Sequence, residues 1–144
     1  MTTITRTSSA TWSGGIESGS GCINVGRSEV VLPFSLKTRI GADPSTNPEE
    51  LLGSALAGCY SMSLAGELDS HGTRAELITS TATVHLVGGD SGFSIPTVDL
   101  AVTAQVSGIT ESDFQDVARK AHDGCPVSRL FNADVRLTAT LEIV

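Results

Sequence analysis

Hydrophobic and polar residues alternate along much of this chain, which is the period of a β-strand with one buried face. The alternation is loose near the N-terminus, in segments 4–12, 22–25 and 30–34. It is regular in three later stretches, whose predicted inward positions are Ala82, Val84 and Leu86, then Val98, Leu100, Val102, Ala104 and Val106, and finally Val135, Leu137, Ala139, Leu141 and Ile143. Such alternation is typical of antiparallel sheets with one packed face and one exposed face.

A long helix is predicted over 47–72, between the N-terminal strands and the regular ones. Asn47 is a suitable N-cap, Pro48 suits the first helical position, and Glu50 follows three residues after the cap. Gly72 suits the C-terminal end of the helix.

A second helix is predicted after Thr110, and it is amphipathic. Its apolar stripe consists of Phe114, Val117, Ala118 and Ala121, while its charged residues lie on other faces. A short third helix is expected after Pro126. Together these elements predict an α+β fold, with antiparallel sheets packed on a long central helix and on the amphipathic one.

The first helix has no charged residue at all over 51–66. A helix that is uncharged on every side is expected to be buried on nearly every side, which a chain of 144 residues achieves with difficulty on its own. One solution is to bury this helix between two subunits. Its small residues would permit close packing: Gly53, Ser54, Ala57 and Gly58.

Composition narrows the class of protein. A length of 144 residues predicts one domain over 1–144, and a net charge of −7 without a basic block argues against nucleic-acid binding. The N-terminus lacks the pattern of a signal peptide, and no apolar run is long enough for a membrane span. With three cysteines, an odd number, we expect a cytoplasmic protein.

Cys59 lies within the uncharged helix, and Cys125 directly precedes Pro126 at the expected start of the short helix. Backbone N–H groups at such a start favour an anion and can lower the pKa of a thiol. The alternative for any of these cysteines is a small buried hydrophobic residue, which is the simplest interpretation of Cys22. A hydrolase pairing Cys59 with His71 or His122 is a further alternative without a local motif to support it. The spacing of cysteines and histidines predicts no metal site.

Two motifs resemble one known family. The segments "STNPEELLGSALAGCYSMSLAGEL" and "GCPVSRLF" look like those of the OsmC/Ohr family, the osmotically inducible protein C and organic hydroperoxide resistance proteins. The order of the elements also agrees over nearly the whole chain. The segments "FSLKTRIGADPSTNPEELL" and "CPVSR" are more similar to the OsmC branch than to the Ohr branch.

The resemblance implies an OsmC-like fold that forms an intertwined homodimer. It also implies a thiol-dependent peroxidase that reduces organic hydroperoxides and, less well, hydrogen peroxide, without a cofactor. It identifies Cys59 with the peroxidatic cysteine, Cys125 with the resolving cysteine and Glu49 with the glutamate of the family motif. Arg39 is our choice, over the nearby Lys37, for the arginine beside the thiolate. Alternatively, Arg39 is an ordinary solvent-exposed strand residue, and Glu49 is an ordinary charged residue at the N-terminus of the helix.

These roles agree with the chemistry of peroxide reduction. A thiolate is the nucleophile, and burial raises the pKa of a thiol, so Cys59 needs a cation such as arginine nearby. Glu49 could hold that arginine, yet a straight helix separates Glu49 from Cys59 by roughly 15 Å. Either the helix bends, or the arginine spans the gap, or the groups come from different subunits.

The expected partners are an organic hydroperoxide and a dithiol reductant. The uncharged walls of the expected pocket favour a peroxide with an apolar tail. The candidate lining residues are Leu51, Leu52, Leu56, Tyr60, Met62 and Phe131. Each of them could instead be an ordinary core residue. The rival interpretations are an OsmC-fold stress protein that binds or senses an apolar ligand and a structural dimer with incidental thiols.

Overall fold

The computed structural model describes all 144 residues, which form two compact units, 1–51 and 52–144. The first unit contains a three-stranded antiparallel sheet in the order β1-β2-β3, formed by Ser9–Ser13, Ser20–Asn24 and Val31–Phe34. The β-strand predicted over 4–12 is therefore shorter and begins later. A short helix that the sequence pattern did not predict, α1 (Leu36–Ile40), follows directly, and Ser35 and Thr38 form a capping box at its start.

The long helix α2 (Pro48–His71) has the predicted ends. The Asn47 side chain accepts a hydrogen bond from the N–H of Glu50 at 2.9 Å, and Pro48 is the first helical residue. Gly72 has a φ of 87°, a left-handed conformation that favours glycine, and it ends the helix. The N-terminus of α2 belongs to the first unit, and most of its length belongs to the second.

The second unit contains a sheet in the order β4-β5-β6, formed by Ala75–Gly89, Gly92–Val106 and Asp134–Glu142. Strands β4 and β5 form a long antiparallel hairpin that turns between Gly89 and Gly92. Between β5 and β6 lie helices α3 (Glu111–Gly124) and α4 (Pro126–Leu130), as the sequence predicts. The core of this unit lies between one face of the sheet, α2 and α3.

Strand β6 pairs with β5 in parallel. The alternating pattern favoured antiparallel pairing, and it was wrong on this point because alternation reports only which faces are buried. The connection through α3 and α4 carries the chain back to the starting end of β5, which is the usual way to reach a parallel neighbour. Ile143, predicted to face inward, lies beyond the end of β6 and is 84% exposed.

Helix α2 buries one stripe and not its whole circumference within the single chain. Its fully buried side chains recur every four residues: Leu56, Tyr60, Leu64 and Leu68. The other side is exposed and uncharged over most of its length, and we call it the open face of α2; it consists of Ala55, Gly58, Met62, Ala65 and Gly66. The expectation of burial on every side is therefore not met within one chain.

No helix in the protein combines the length and the apolar character that are needed to cross a membrane.

Candidate functional site

The second unit brings Cys59 and Cys125 together, although they are far apart in sequence. Cys59 lies on α2, and Cys125 is the N-cap of α4, where the chain leaves α3. Both are free thiols, and their side chains are within hydrogen-bonding reach of each other. Cys125 is fully buried and Cys59 is half-buried, packed against the core. Two thiols in this position can be joined by oxidation without a large movement of the chain.

The surroundings of the two sulfur atoms differ. Burial raises the pKa of the Cys59 thiol, and a hydrogen bond from the backbone of Val127 does not compensate for it, while Cys125 adds to the rise. Burial also acts against ionisation of Cys125, but interactions with the side chain and backbone of Ser128, with Cys59 and with the backbone of Val127 lower its pKa. The negative charge of the pair is therefore favoured on Cys125.

Cys59 obtains no help from a cation within its own unit. The groups that act on its pKa are the backbone of Val127 and the thiol of Cys125, apart from burial itself. No basic side chain of residues 52–144 is among them. Burial therefore disfavours a thiolate at Cys59, and no basic side chain of this unit opposes that effect.

The first unit pairs Arg39 with Glu49. Arg39 Nε and Nη2 both donate to Glu49 Oε1, at 2.9 and 2.6 Å. The Glu49 side chain is only 10% exposed, and that of Arg39 is 35% exposed. The second carboxylate oxygen of Glu49, Oε2, is buried and accepts no hydrogen bond. The pair is a charge-assisted contact, which fixes the direction of the guanidinium group. Helix α1, which carries Arg39, and the first turn of α2, which carries Glu49, make this geometry possible.

The six apolar residues predicted to line a substrate site have different positions in the structure. Leu56 and Tyr60 are fully buried in the core, and Tyr60 also donates a hydrogen bond from its hydroxyl to the carbonyl of Ala118 at 3.0 Å. Met62 is 78% exposed, and Leu51 is half-buried in the first unit.

The remaining two, Leu52 and Phe131, line one apolar cavity of about 210 Å³ in the second unit. The other walls of this cavity come from the β4–β5 hairpin and from the segment before β6: Val84, Ile95, Val98, Asn132 and Ala133. The structure thus places together only two of the six residues that the sequence grouped.

Sequence reasoning did not identify Ser128. This residue lies one turn into α4, is 9% exposed, and its side chain faces Cys125. The available signal was its position three residues after the N-cap, where a side chain can reach back to the cap. No group of three or more His, Cys, Asp and Glu residues is arranged to hold a metal ion.

Comparisons with known proteins agree on one family. The protein-family model described as OsmC-like protein matches residues 41–140. The chain is 37% identical over 142 residues to the Peroxiredoxin OsmC of Escherichia coli (strain K12), a match covering 97% of this chain and 99% of the relative. It is 31% identical over 101 residues to the organic hydroperoxide resistance protein OhrA of Bacillus subtilis (strain 168), covering 67% of each.

Solved structures show the same fold. An organic hydroperoxide resistance protein from Elizabethkingia anophelis superimposes with a TM-score of 0.72, at 25% identity and over 100% of both chains. The OhrB protein of Bacillus subtilis superimposes with a TM-score of 0.68, at 22% identity, over 94% of this chain and 98% of that chain. These structures confirm the α+β architecture. The family model and the sequence matches confirm the resemblance that the two motifs indicated.

Proposed function

The chain belongs to the family of OsmC-like proteins, and from this membership and its paired thiols we propose that it is a cysteine-dependent peroxidase. Its relatives carry names that refer to peroxide metabolism, which supports a peroxide-related redox role. The observation that carries the specific mechanism is the contact between Cys59 and Cys125. Its substrates would be organic hydroperoxides and, less efficiently, hydrogen peroxide.

The proposed cycle has three steps. The Cys59 thiolate attacks the O–O bond of the hydroperoxide; an alcohol leaves after taking up a proton, and Cys59 becomes a sulfenic acid. Cys125 then attacks the sulfur of Cys59, so that a disulfide forms and water leaves. A dithiol reductant opens this disulfide by thiol–disulfide exchange and is itself oxidised to a disulfide. Because the two thiols are already adjacent, the second step needs little rearrangement.

We propose that Arg39 is the cation that stabilises the Cys59 thiolate. Burial raises the pKa of Cys59, and residues 52–144 supply no cation to oppose this effect. Arginine remains charged at every physiological pH, and its planar group can bond both a sulfur and a peroxide oxygen. The two hydrogen bonds from Arg39 to Glu49 Oε1 support this role, since they order the guanidinium group before substrate arrives.

A homodimer is the assembly that we propose for this chemistry. The open face of α2 is uncharged and includes Met62, which is 78% exposed, whereas the solvent-facing side of a helix ordinarily carries polar and charged residues. A second copy of the chain would cover this face. Such a dimer would also allow Arg39 of one subunit to approach Cys59 of the other, which avoids the distance problem along a single helix.

Substitution of each cysteine tests the peroxidase directly. With cumene hydroperoxide and dithiothreitol, we expect C59S to abolish peroxide consumption, because the attacking sulfur is gone. C125S should permit attack but then stop as a sulfenic acid or become overoxidised on repeated turnover. C22S is the matched control and should keep wild-type activity, because Cys22 lies on β2 in the other unit and has no step in the cycle.

Thiol titration gives a second readout. After one equivalent of hydroperoxide, two thiols per chain should be lost and the third should remain. Peroxide consumption that survives in C59S would contradict the proposal, as would the loss of a single thiol without formation of a Cys59–Cys125 disulfide. An apolar ligand bound without any peroxide turnover would favour the rival function instead.

A further inference from the structure

Helix α4 contains one buried side-chain donor that has no acceptor, the hydroxyl of Ser128. The Ser128 side chain is buried, and its Oγ has no hydrogen-bond partner. Cys125, the N-cap residue of the same helix, makes no conventional capping hydrogen bond through its sulfur. A buried hydroxyl without a partner is unfavourable for folding, so its presence calls for an explanation.

The position of Ser128 on the helix explains why its hydroxyl has no partner. Cys125 is the N-cap and Ser128 is the third helical residue, a spacing at which the second side chain reaches back towards the first. The Ser128 side chain lies against the Cys125 sulfur, and the backbone N–H groups of Val127 and Ser128 face the same atom. A neutral thiol is a weak acceptor, whereas a thiolate is a strong one. The Ser128 hydroxyl, which has no partner beside the neutral thiol, therefore gains a strong acceptor when Cys125 is ionised.

We propose that the Ser128 hydroxyl stabilises Cys125 as a thiolate, and so controls both the ionisation of this cysteine and the reduction of the Cys59–Cys125 disulfide. Only the part of this inference that concerns disulfide reduction rests on the proposed peroxidase function. The ionisation of Cys125 is a property of the reduced protein and does not require any peroxide chemistry.

The role in disulfide reduction follows from the direction of exchange. A thiolate of the dithiol reductant attacks Cys59 Sγ, which forms a mixed disulfide and breaks the bond to Cys125. The electron pair of the broken bond leaves on Cys125 Sγ, where the Ser128 hydroxyl donates a hydrogen bond to the new thiolate. The second thiol of the reductant then releases Cys59 and completes the reductant's own disulfide. A leaving thiolate that is stabilised in this way departs faster and makes the disulfide easier to reduce.

Other titratable groups surround Cys125, and the test must leave them unchanged. Cys59 and Tyr60 of α2 act on it directly. His122 and Asp123 at the end of α3 and Arg129 in α4 are its neighbours along the chain. Substitution of Ser128 alone alters none of them.

The first experiment measures ionisation in a C22S/C59S background, where Cys125 is the single cysteine. Thiolate absorbance at 240 nm, followed against pH, needs no reagent to reach the buried sulfur. We expect S128A to lower the acid ionisation constant of Cys125 about tenfold, which raises its pKa, because one hydrogen bond to a charged group is lost. S80A is the matched control, because Ser80 is a half-buried serine on β4 whose hydroxyl bonds Ser61 and not a cysteine. An unchanged titration in S128A would overturn the proposal.

The second experiment uses C22S with Cys59 and Cys125 intact, equilibrated in dithiothreitol buffers. S128A should shift the equilibrium towards the disulfide about tenfold, equivalent to about 30 mV towards a more reducing potential. If C22S forms no Cys59–Cys125 disulfide at all, the peroxidase cycle fails, while the absorbance titration still decides the role of Ser128. If the disulfide forms and its potential is the same in S128A, the role in reduction is wrong.

Thermal unfolding of the reduced protein at acidic pH separates this role from a structural one. Cys125 is then a neutral thiol, and Ser128 Oγ has no partner to lose. S128A should therefore unfold at the same temperature as the parent or at a higher one. A marked loss of stability at acidic pH would indicate a structural hydroxyl and would contradict the proposal.

Discussion

At the scale of single residues, the two cysteines have opposite environments. Burial raises the pKa of Cys59, whereas the donors at the start of α4 lower the pKa of Cys125. The isolated second unit would therefore ionise the wrong thiol for peroxide attack. The proposed chemistry therefore needs a cation beside Cys59 that reverses this preference, and Arg39, held by Glu49, is the one that we propose.

The Arg39–Glu49 contact gives a residue-scale prediction. E49Q keeps the size of the side chain but removes its charge, so the hydrogen bonds from Arg39 lose their charge-assisted strength. We expect kcat/KM for cumene hydroperoxide to fall by roughly tenfold or more, from hydrogen bonds to charged groups of about 1.5–3 kcal/mol. Steady-state peroxide consumption measures this effect.

Glu67 supplies the control for E49Q. It also lies on α2 and forms an ion pair, with Lys120 at 2.6 Å, but this pair is at the surface of the second unit. E67Q should retain wild-type turnover, because exposed ion pairs contribute little. Equal losses in E49Q and E67Q would show that the effect comes from the charge of the helix and not from the arginine.

The sequence identifies the two cysteines but not Ser128, and the reasons are physical. Cys59 and Cys125 stand out because a thiol is rare and chemically distinct. Ser128 does not stand out, because a serine three residues after a cap is common and only burial reveals that its hydroxyl lacks a partner. The sequence does not distinguish Leu56 and Tyr60, which are fully buried, from residues that could line a substrate site, because a uniformly apolar helix does not show which of its sides faces the core.

At the scale of elements, helix ends were predicted well and strand direction was not. Asn47, Pro48 and Gly72 have local effects that depend on a few neighbouring backbone groups, so they could be identified from sequence. The parallel pairing of β6 depends on where the crossover through α3 and α4 returns to the sheet. That information is not present in the alternation of any one strand.

The open face of α2 gives an element-scale prediction. M62K places a charge on a side chain that is 78% exposed in the single chain, so an isolated subunit should fold normally. If a second copy covers this face, the buried charge should disrupt the dimer. Sedimentation velocity should then show a dimer for the wild type and a monomer for M62K.

Ser70 provides the control for M62K. It is exposed near the C-terminal end of the same helix, beyond the uncharged part. S70K should remain dimeric. A monomeric wild type, or an M62K variant that dimerises as tightly as S70K, would contradict the proposed use of this face.

At the scale of the whole molecule, one assembly would explain both the exposed helix face and the missing cation. Mixing subunits tests this explanation. C59S lacks the attacking sulfur and R39A lacks the guanidinium, so each homodimer should be inactive. If each site combines Cys59 of one subunit with Arg39 of the other, a mixed dimer contains one complete site and activity should reappear.

The control for this mixture combines C59S with C59S/R39A subunits, which cannot form a complete site in any pairing. Subunit exchange is confirmed by a mass tag on one variant. Exchange without recovery of peroxidase activity would place Arg39 and Cys59 of the same chain in one site, and it would leave the other steps of the cycle intact.

The distance in sequence between the two adjacent thiols has a consequence for the polypeptide as a polymer. A bond between Cys59 and Cys125 would close a ring that contains β4, β5 and α3. A ring of this size lowers the conformational entropy of the unfolded chain, which raises its free energy by about 4 kcal/mol. Every turnover would thus alternate the protein between a linear and a circularised topology. The disulfide form would therefore resist heat and proteases better than the reduced form. The fraction of protein that survives digestion would then measure the fraction that is oxidised.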